Sequence, residues 1–451
     1  MTVLPPKPAS RAGRVSLVRY ARLFRKDILS AQPEHLYRAW MADFRTPWFR
    51  SCLANDPALV TLLLRERPGD FPKSERVSEG LRPLLGNSVF VTNGDVWKRQ
   101  RRIIDPAFEG GRLRDSFPAI RAASRALAAR LSAQSDRVVD IEEKAIHAAA
   151  DVIFRTLFSV PVDSRLASET YRAFRTYQRS QPVLNLAAFV PLPQWMPRFF
   201  RRGTRKSARQ IRRLIGDMTR ARAAEITAGT APDDLATRIM TQADPQTGDT
   251  FDAAEMTDQV AIFFLAGHET SAAALSWALW LLARYPDWQD RVAAEAQAAD
   301  LSQFSALSGL SVTRDVFRET LRLYPPVPMM VRQTQGVEHM RGRDLPRGTQ
   351  MILSPWHLHR HTRLWDNPDG FDPGRWRTKN GQECARRAFI PFSAGPRVCP
   401  GAGFAMLEGV LMLATVLRDL KVELCEDAAP VPVAHLTVRS RDGIRLRVVR
   451  R

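Results

Sequence analysis

The sequence predicts a mostly α-helical protein with small β-sheets, folded as a single large domain over residues 1–451. Three observations predict it. Apolar residues recur at helical spacing through most of the first two-thirds of the chain, strand-like stretches are few and short, and no linker, internal repeat or low-complexity segment divides the sequence. With 45% hydrophobic residues, including 22 Phe and 10 Trp, the 451-residue chain can enclose a core large enough for a buried cofactor.

Helical spacing is clear in residues 57–66, 120–131, 141–158, 207–226 and 256–283. Residues 350–354 have strand character, and 433–438 with 443–449 read as a C-terminal hairpin. The Pro-rich patches near Pro191 and Pro325 are too short to act as linkers. The nearest approach to a membrane span is 260–283, but Gly267, His268, Glu269, Thr270 and Ser271 interrupt it. Ionisable groups at mid-bilayer are costly, so a core helix explains the same apolarity. Arg11, Arg14, Arg19, Arg22, Arg25 and Lys26 punctuate the N-terminus, which offers neither a secretory leader nor the roughly 20 apolar residues of an anchor. A cytoplasmic protein without a transmembrane segment is expected.

Cys52, Cys384, Cys399 and Cys425 are far apart, with no C-x-x-C spacing, which argues against zinc and against covalently attached haem. The net charge of +20 would ordinarily suggest nucleic acid, but the arginines are dispersed and no nucleic-acid motif accompanies them. No nucleic-acid partner is expected. His357, His359 and His361 lack a second cluster of ligands, so they are read as structural.

Four constellations carry chemistry. In Phe392-Ser393-Ala394-Gly395-Pro396-Arg397-Val398-Cys399-Pro400-Gly401, a cysteine sits on a glycine-punctuated turn ahead of a helix-compatible run, with Pro400 expected in the first helical turn. Helix-terminal amides and Arg397 favour the thiolate, the form that binds metals. Glu319 and Arg322 are spaced to pair on one helix face. Gly267 and Glu269, within Ala266-Gly267-His268-Glu269-Thr270-Ser271, are disfavoured in the middle of an apolar helix unless used or paired. Trp97 and Arg101 are four apart, where an indole N–H and a guanidinium reach one anion.

Together, from about Trp97 to Gly401, these segments resemble the cytochrome P450 family, and every fixed position of its haem-ligand loop is matched. The resemblance implies the P450 fold, haem b, and Cys399 as axial iron ligand, with Phe392 and Gly401 as further loop positions at the cofactor. It implies that Glu319, Arg322 and Arg375, the last in Phe371-Asp372-Pro373-Gly374-Arg375-Trp376, form a buried network supporting the loop. Trp97, Arg101, Arg332 and Arg397 match positions that hold the haem propionates. Glu269 and Thr270 match the acid and alcohol that relay protons to dioxygen, beside small residues that leave it room, while His268 falls at a variable position and is read as a hydrogen-bonded core residue.

The implied activity is insertion of one atom of dioxygen into an apolar molecule such as a fatty acid or terpenoid. Electrons would come from NAD(P)H through a separate reductase and an acidic ferredoxin or flavodoxin-type donor, since only about fifty residues follow Gly401 and no fused reductase is expected. Lys98, Arg99, Arg102, Arg386 and Arg387 adjoin the expected docking face. Position relative to the motifs makes Phe90, Phe263, Leu265, Ala266, Val327, Met329 and Leu436 the expected substrate contacts. Alternatives within enzymes are a peroxide-driven peroxygenase or a haem-thiolate isomerase, and outside them a haem-based gas sensor. The intact Glu269-Thr270 pair favours dioxygen use.

Overall fold

The structure is a computed structural model that describes residues 4–11, 13, 15–45, 50–109, 111–180, 202–425, 429–434 and 436–451. Arg14 and the Pro-rich patch near Pro191 lie outside the described residues. Two compact units share the chain. One comprises Met1–Phe71, Ser124–Ala148 and Thr270–Arg451, and the other Pro72–Ala123 and Ala149–Glu269. Because the chain passes back and forth between them, no cut in the sequence separates the two.

All described strands belong to the first unit. Its largest sheet orders Met41–Arg45, Arg50–Ala54, Gln350–Leu353 and Met330–Gln333, with the second and third strands parallel and the other pairs antiparallel. The first two strands, which have no strong period-2 pattern, were not anticipated from the sequence. A three-stranded sheet sets Arg445–Arg450 between Val138–Asp140 and Leu420–Leu424. This corrects the expected C-terminal hairpin. Pro432–Ala434 pairs instead with Val438–Ser440, while a left-handed Gly443 lets the chain depart so that the last strand becomes the centre of another sheet.

The expected helices are present. Pro57 starts a helix behind Asp56, which caps the Ala58 amide, and after Thr61 the winding loosens into a π-helical turn over Leu62–Glu66. Arg112–Ser132, Ile141–Phe158, Arg202–Thr227 and Ala253–Arg284 cover the other predicted segments. Among the described residues no helix is long and apolar enough to cross a membrane.

In the first unit, Ser311–Leu323 packs against Ala402–Asp419 at Gly409, where a Cβ would overlap the Phe317 ring. That close approach joins the helix of Glu319 to the helix that follows Cys399. Behind them Trp277 stacks on Tyr324 with ring centres 4.0 Å apart and planes within 8°.

Candidate active site

The cysteine loop is shaped by its own backbone. The Ser393 amide donates to the Ile390 carbonyl at 3.1 Å, Cys399 to Phe392 at 2.9 Å, Val398 to Gly395 at 3.0 Å, and Ala402 to Cys399 at 3.2 Å. Gly395 has φ +66°, and a Cβ there would overlap the carbonyl oxygen of Leu64 in the π-helical turn. Only glycine meets both demands. The turn closed by Ala402 delays the α-helix, so Gly401 is its N-cap and Pro400 lies before the cap, two residues earlier in the path than expected.

Cys399 is exposed, and its Sγ lies 3.9 Å from the point a Gly401 Cβ would occupy. A Cβ at 401 would stand in ordinary van der Waals contact with the sulfur. Cys52 and Cys384 contrast with it: both are buried, and burial pushes their thiols up to about 12 and about 11. They pack as small apolar groups.

Arg332 sits on the strand Met330–Gln333, 6% exposed, and its buried Nε has no hydrogen-bond partner among the described residues. Burial, reinforced by the positive charge of Arg397, pushes it down to about 10, and burial also lowers Arg397. An unsatisfied guanidinium held beside a second cation fits an anionic group, and a carboxylate suits its planar fork. These features fit the propionates of haem, as the exposed thiol of Cys399 fits its iron.

The supporting network is complete. Arg322 grips Glu319 with Nε at 2.9 Å and Nη2 at 2.8 Å, and Arg375 Nε donates to the same carboxylate at 2.9 Å. Glu319 and Arg322 are 0% exposed and Arg375 is 4% exposed. The remaining N–H groups go to carbonyls of His359, Pro368 and Gly370 from Arg322, and of Asp366, Asn367 and Gly370 from Arg375. The route from here to the cysteine runs through a histidine. His359 Nε2 accepts the Ile390 amide at 2.9 Å, and the Ile390 carbonyl accepts Ser393 at the start of the ligand loop. Burial lowers His359 to about 3, so the ring is neutral and able to accept. His357 and His361 are likewise lowered by burial, to about 3 and about 4, and no metal-binding cluster occurs among the described residues.

Along Ala253–Arg284 the motif residues divide by environment. Leu265, His268 and Glu269 are buried, Phe263, Gly267 and Thr270 are half-buried, and Ala266 is exposed. The glycine does not leave open space as expected, because a Cβ on Gly267 would overlap the Ile153 side chain. Ala266 is the accessible small residue. His268 is a hydrogen-bonded core residue, with Nδ1 at the Phe264 carbonyl and Nε2 3.0 Å from Gln178 Nε2. The same Gln178 nitrogen donates to Glu269 Oε2 at 3.0 Å. Beyond Thr270, Ser271 donates to Glu408 at 2.6 Å.

Trp97 and Arg101 lie on the helix Gly94–Ile104. The Lys73 ammonium stands 5.8 Å from the Trp97 ring centre, and Arg101 Nε is 2.7 Å from Asp105, so Arg101 already has a carboxylate partner within its own helix and the turn after it. Most of the basic residues expected at a donor-docking face are also engaged. Arg102 makes a bidentate pair with buried Asp244 at 2.6 and 2.7 Å, Arg99 reaches Glu255 at 2.6 Å, Lys98 reaches Asp95 at 2.9 Å, and Arg387 reaches Glu383 at 2.8 Å. The Arg102 guanidinium holds the Asp244 carboxyl well below the usual range. Of the five, Arg386 is exposed without such an ion pair among the described residues.

Of the expected substrate contacts, Phe90 is 44% exposed, and Phe263 meets Phe108 edge-on at 5.9 Å. Leu265, 6% exposed, packs as core. In the other unit, Val327 and Met329 are half-buried, and Leu436 is 42% exposed in the turn between Pro432–Ala434 and Val438–Ser440. The Val438 amide donates to the Pro326 carbonyl at 3.0 Å, which ties that hairpin to the segment carrying Val327.

Sequence reasoning missed Gln178 and Glu408. A glutamine among surface-like polar residues gives no signal. An acid flanked by Leu407, Val410 and Leu411 does, since it must be paired or protonated.

An exposed cysteine just before a helix, with a buried arginine whose Nε lacks a partner among the described residues, fits a haem-binding protein. A sequence model of the family described as cytochrome P450 matches residues 43–447, and the chain belongs to that family. It is an oxidoreductase of the monooxygenase type. It is 34% identical over 375 residues to cyclooctat-9-en-7-ol 5-monooxygenase of Streptomyces melanosporofaciens, covering 81% of this chain and 79% of that one. It is 32% identical over 392 residues to pentalenene oxygenase of Streptomyces avermitilis, covering 84% of each. The fold matches the crystal structure of the cytochrome P450DA heme domain with TM-score 0.81 at 23% identity, covering 100% of this chain and 98% of that one.

Proposed function

We propose that this P450 hydroxylates or otherwise oxygenates a terpenoid-type hydrocarbon, with electrons delivered from NAD(P)H by a separate reductase and an acidic ferredoxin or flavodoxin. The observation that carries the haem-thiolate reading is exposed Cys399 in the same unit as Arg332, whose buried Nε lacks a partner among the described residues. The substrate class rests on relatives named for cyclooctat-9-en-7-ol and pentalenene, together with the apolar character of Phe263, Ala266, Val327 and Met329.

Cys399 would ligate the iron as thiolate, and Arg332 and Arg397, in the same unit, would hold a propionate; Trp97 and Arg101, within their own unit, keep the propionate role that the family resemblance implies. Arg101 would then share itself between Asp105 and a propionate. Phe392 shapes the loop through its carbonyl, and Gly401 caps the helix that follows the cysteine. When bound, haem b supplies the binding and reductive splitting of dioxygen, so that one oxygen atom enters the substrate and the other, with two electrons and two protons, leaves as water. Glu269 would hold a proton at its carboxyl, and the Thr270 hydroxyl would pass it onward. Glu319, Arg322 and Arg375 keep the loop rigid while this occurs.

The test is Thr270→Ala, which retains the helix because alanine is the better helix former. Haem content and the substrate-induced spectral shift should persist, NADPH consumption should continue, product should fall severalfold and hydrogen peroxide should rise. Wild-type product per NADPH without extra peroxide would refute the relay. A panel of cyclic terpenes and terpene alcohols, scored by the low-spin to high-spin shift, tests the substrate class against fatty acids.

A further inference from the structure

One amide nitrogen serves two buried groups. Gln178, on the helix Arg165–Ser180, has its Nε2 3.0 Å from His268 Nε2 and 3.0 Å from Glu269 Oε2. His268 and Glu269 are 2% and 6% exposed. The hydrogens follow once the ring is taken as neutral and Glu269 as the carboxylate that has yet to take up the relayed proton. His268 Nδ1 faces the Phe264 carbonyl, which only accepts, so Nδ1 carries the ring proton. Nε2 is then a lone-pair nitrogen and needs a donor. A carboxylate also only accepts, and the amide nitrogen has two hydrogens, so one goes to each. Turning the amide over would set its oxygen against both a carboxylate and a ring lone pair.

The other end of the side chain records this constraint. Gln178 Oε1 is buried with no hydrogen-bond partner among the described residues. Buried acceptors are seldom left empty, and here the orientation that empties Oε1 is the one that satisfies two stronger acceptors at Nε2. The Phe174 ring, 5.8 Å from His268 and edge-on to it, closes the apolar side.

We infer that Gln178 is the positioning residue for the proton-delivering carboxyl: a two-hydrogen donor that fixes Glu269 in one orientation and holds His268 as the neutral Nδ1–H tautomer. The inference rests on the relay role proposed for Glu269. Without that donor the Glu269 carboxylate loses a charge-assisted hydrogen bond and turns to another partner. Proton delivery then slows, and dioxygen reduced by two electrons leaves with two protons as hydrogen peroxide instead of being split.

The experiment compares Gln178→Met, which keeps the length and apolar volume but has no N–H, with Gln178→Lys, whose ammonium restores donors to both acceptors. Both are studied as haem-loaded protein with a surrogate ferredoxin and reductase. Gln178→Met should retain haem and the substrate-induced shift while peroxide per NADPH rises about threefold to tenfold, part of the about 10²–10⁴-fold contributed by a positioned proton donor. Gln178→Lys should stay within about twofold of wild type, because the donor rather than the amide is what matters. Independently of turnover, selective ¹⁵N-histidine spectra, with His268 assigned by its loss in His268→Asn, should show Nε2 moving toward a non-bonded ring nitrogen in Gln178→Met and not in Gln178→Lys. Wild-type coupling in Gln178→Met, an unmoved Nε2 resonance, or equal uncoupling in Met and Lys variants would overturn the inference. Thr270→Ala in the same assay separates the two levels: if it uncouples while Gln178→Met does not, only the positioning role fails, and if it stays coupled the relay itself falls.

Discussion

The Ser271 hydroxyl donates to Glu408 at 2.6 Å, joining the residue after Thr270 to the helix that follows Cys399. Glu408 is 1% exposed, its other oxygen has no partner among the described residues, and burial pushes its carboxyl up to about 8 despite the bond from Ser271.

That raised value sets a pH dependence. Between the ordinary glutamate range and about 8, the folded protein holds a proton on Glu408 that the unfolded chain has released. Its stability contribution is therefore full below the unfolded pKa and is lost as pH rises through about 8. Glu408→Gln keeps an acceptor for Ser271 and removes the titration. Unfolding free energies from urea titrations should fall from pH 5 to pH 8 in wild type by more than in Glu408→Gln, the gap reaching on the order of a few kcal/mol. Parallel curves would show that Glu408 is not the buried titrating group.

Arg332 should separate folding from cofactor retention. Its buried Nε is unsatisfied among the described residues, so Arg332→Met should leave the haem-free protein equally stable or more so. The holoprotein should release haem faster to an acceptor globin, by roughly tenfold or more for the loss of a hydrogen bond to a charged group worth about 1.5–3 kcal/mol. Unchanged haem loss would remove Arg332 from the propionate site.

Breaking the Glu319 network should cost stability. Glu319→Ala leaves Arg322 and Arg375 buried without a counter-charge, a loss of about 3–5 kcal/mol, and haem incorporation should fall with it. Arg375→Met, which preserves the Glu319–Arg322 pair, should be milder. Equal midpoints for Glu319→Ala and wild type would contradict the role.

Donor docking should depend on Arg386 more than on Arg102. Arg386→Glu should slow reduction by an acidic ferredoxin, with the effect shrinking as salt screens it over about 8–10 Å, and should leave thermal stability alone. Arg102→Glu should lower the melting temperature, since it breaks the pair with buried Asp244. Salt-independent reduction, or a stable Arg102→Glu, would contradict this assignment.

The helices were legible because their apolar periodicity is strong, and Ile141–Phe158 agrees to the residue. The motifs were legible because they are local: Glu319 with Arg322, and Gly395 with Cys399, each lie within one turn or loop. Relationships between distant segments were not. Nothing in the sequence brings Gln178 to Glu269, Asp244 to Arg102, or Leu64 to Gly395. The same limit explains the C-terminus, where 443–449 is close to the strand Arg445–Arg450 but 433–438 is itself a small hairpin, and the partners are chosen by the sheets they join. Of the docking candidates, Arg386 has no ion pair among the described residues, while carboxylates far along the chain or one helical turn away pair with the others.

The most direct measurement of the haem-thiolate assignment is the absorption spectrum of the dithionite-reduced protein under carbon monoxide, for wild type, Cys399→Ser and Cys399→His. Thiolate ligation predicts the long-wavelength Soret band in wild type and its absence from both variants, with Cys384→Ser unchanged. The same band surviving in Cys399→Ser and Cys399→His, or missing from haem-loaded wild type, would contradict it.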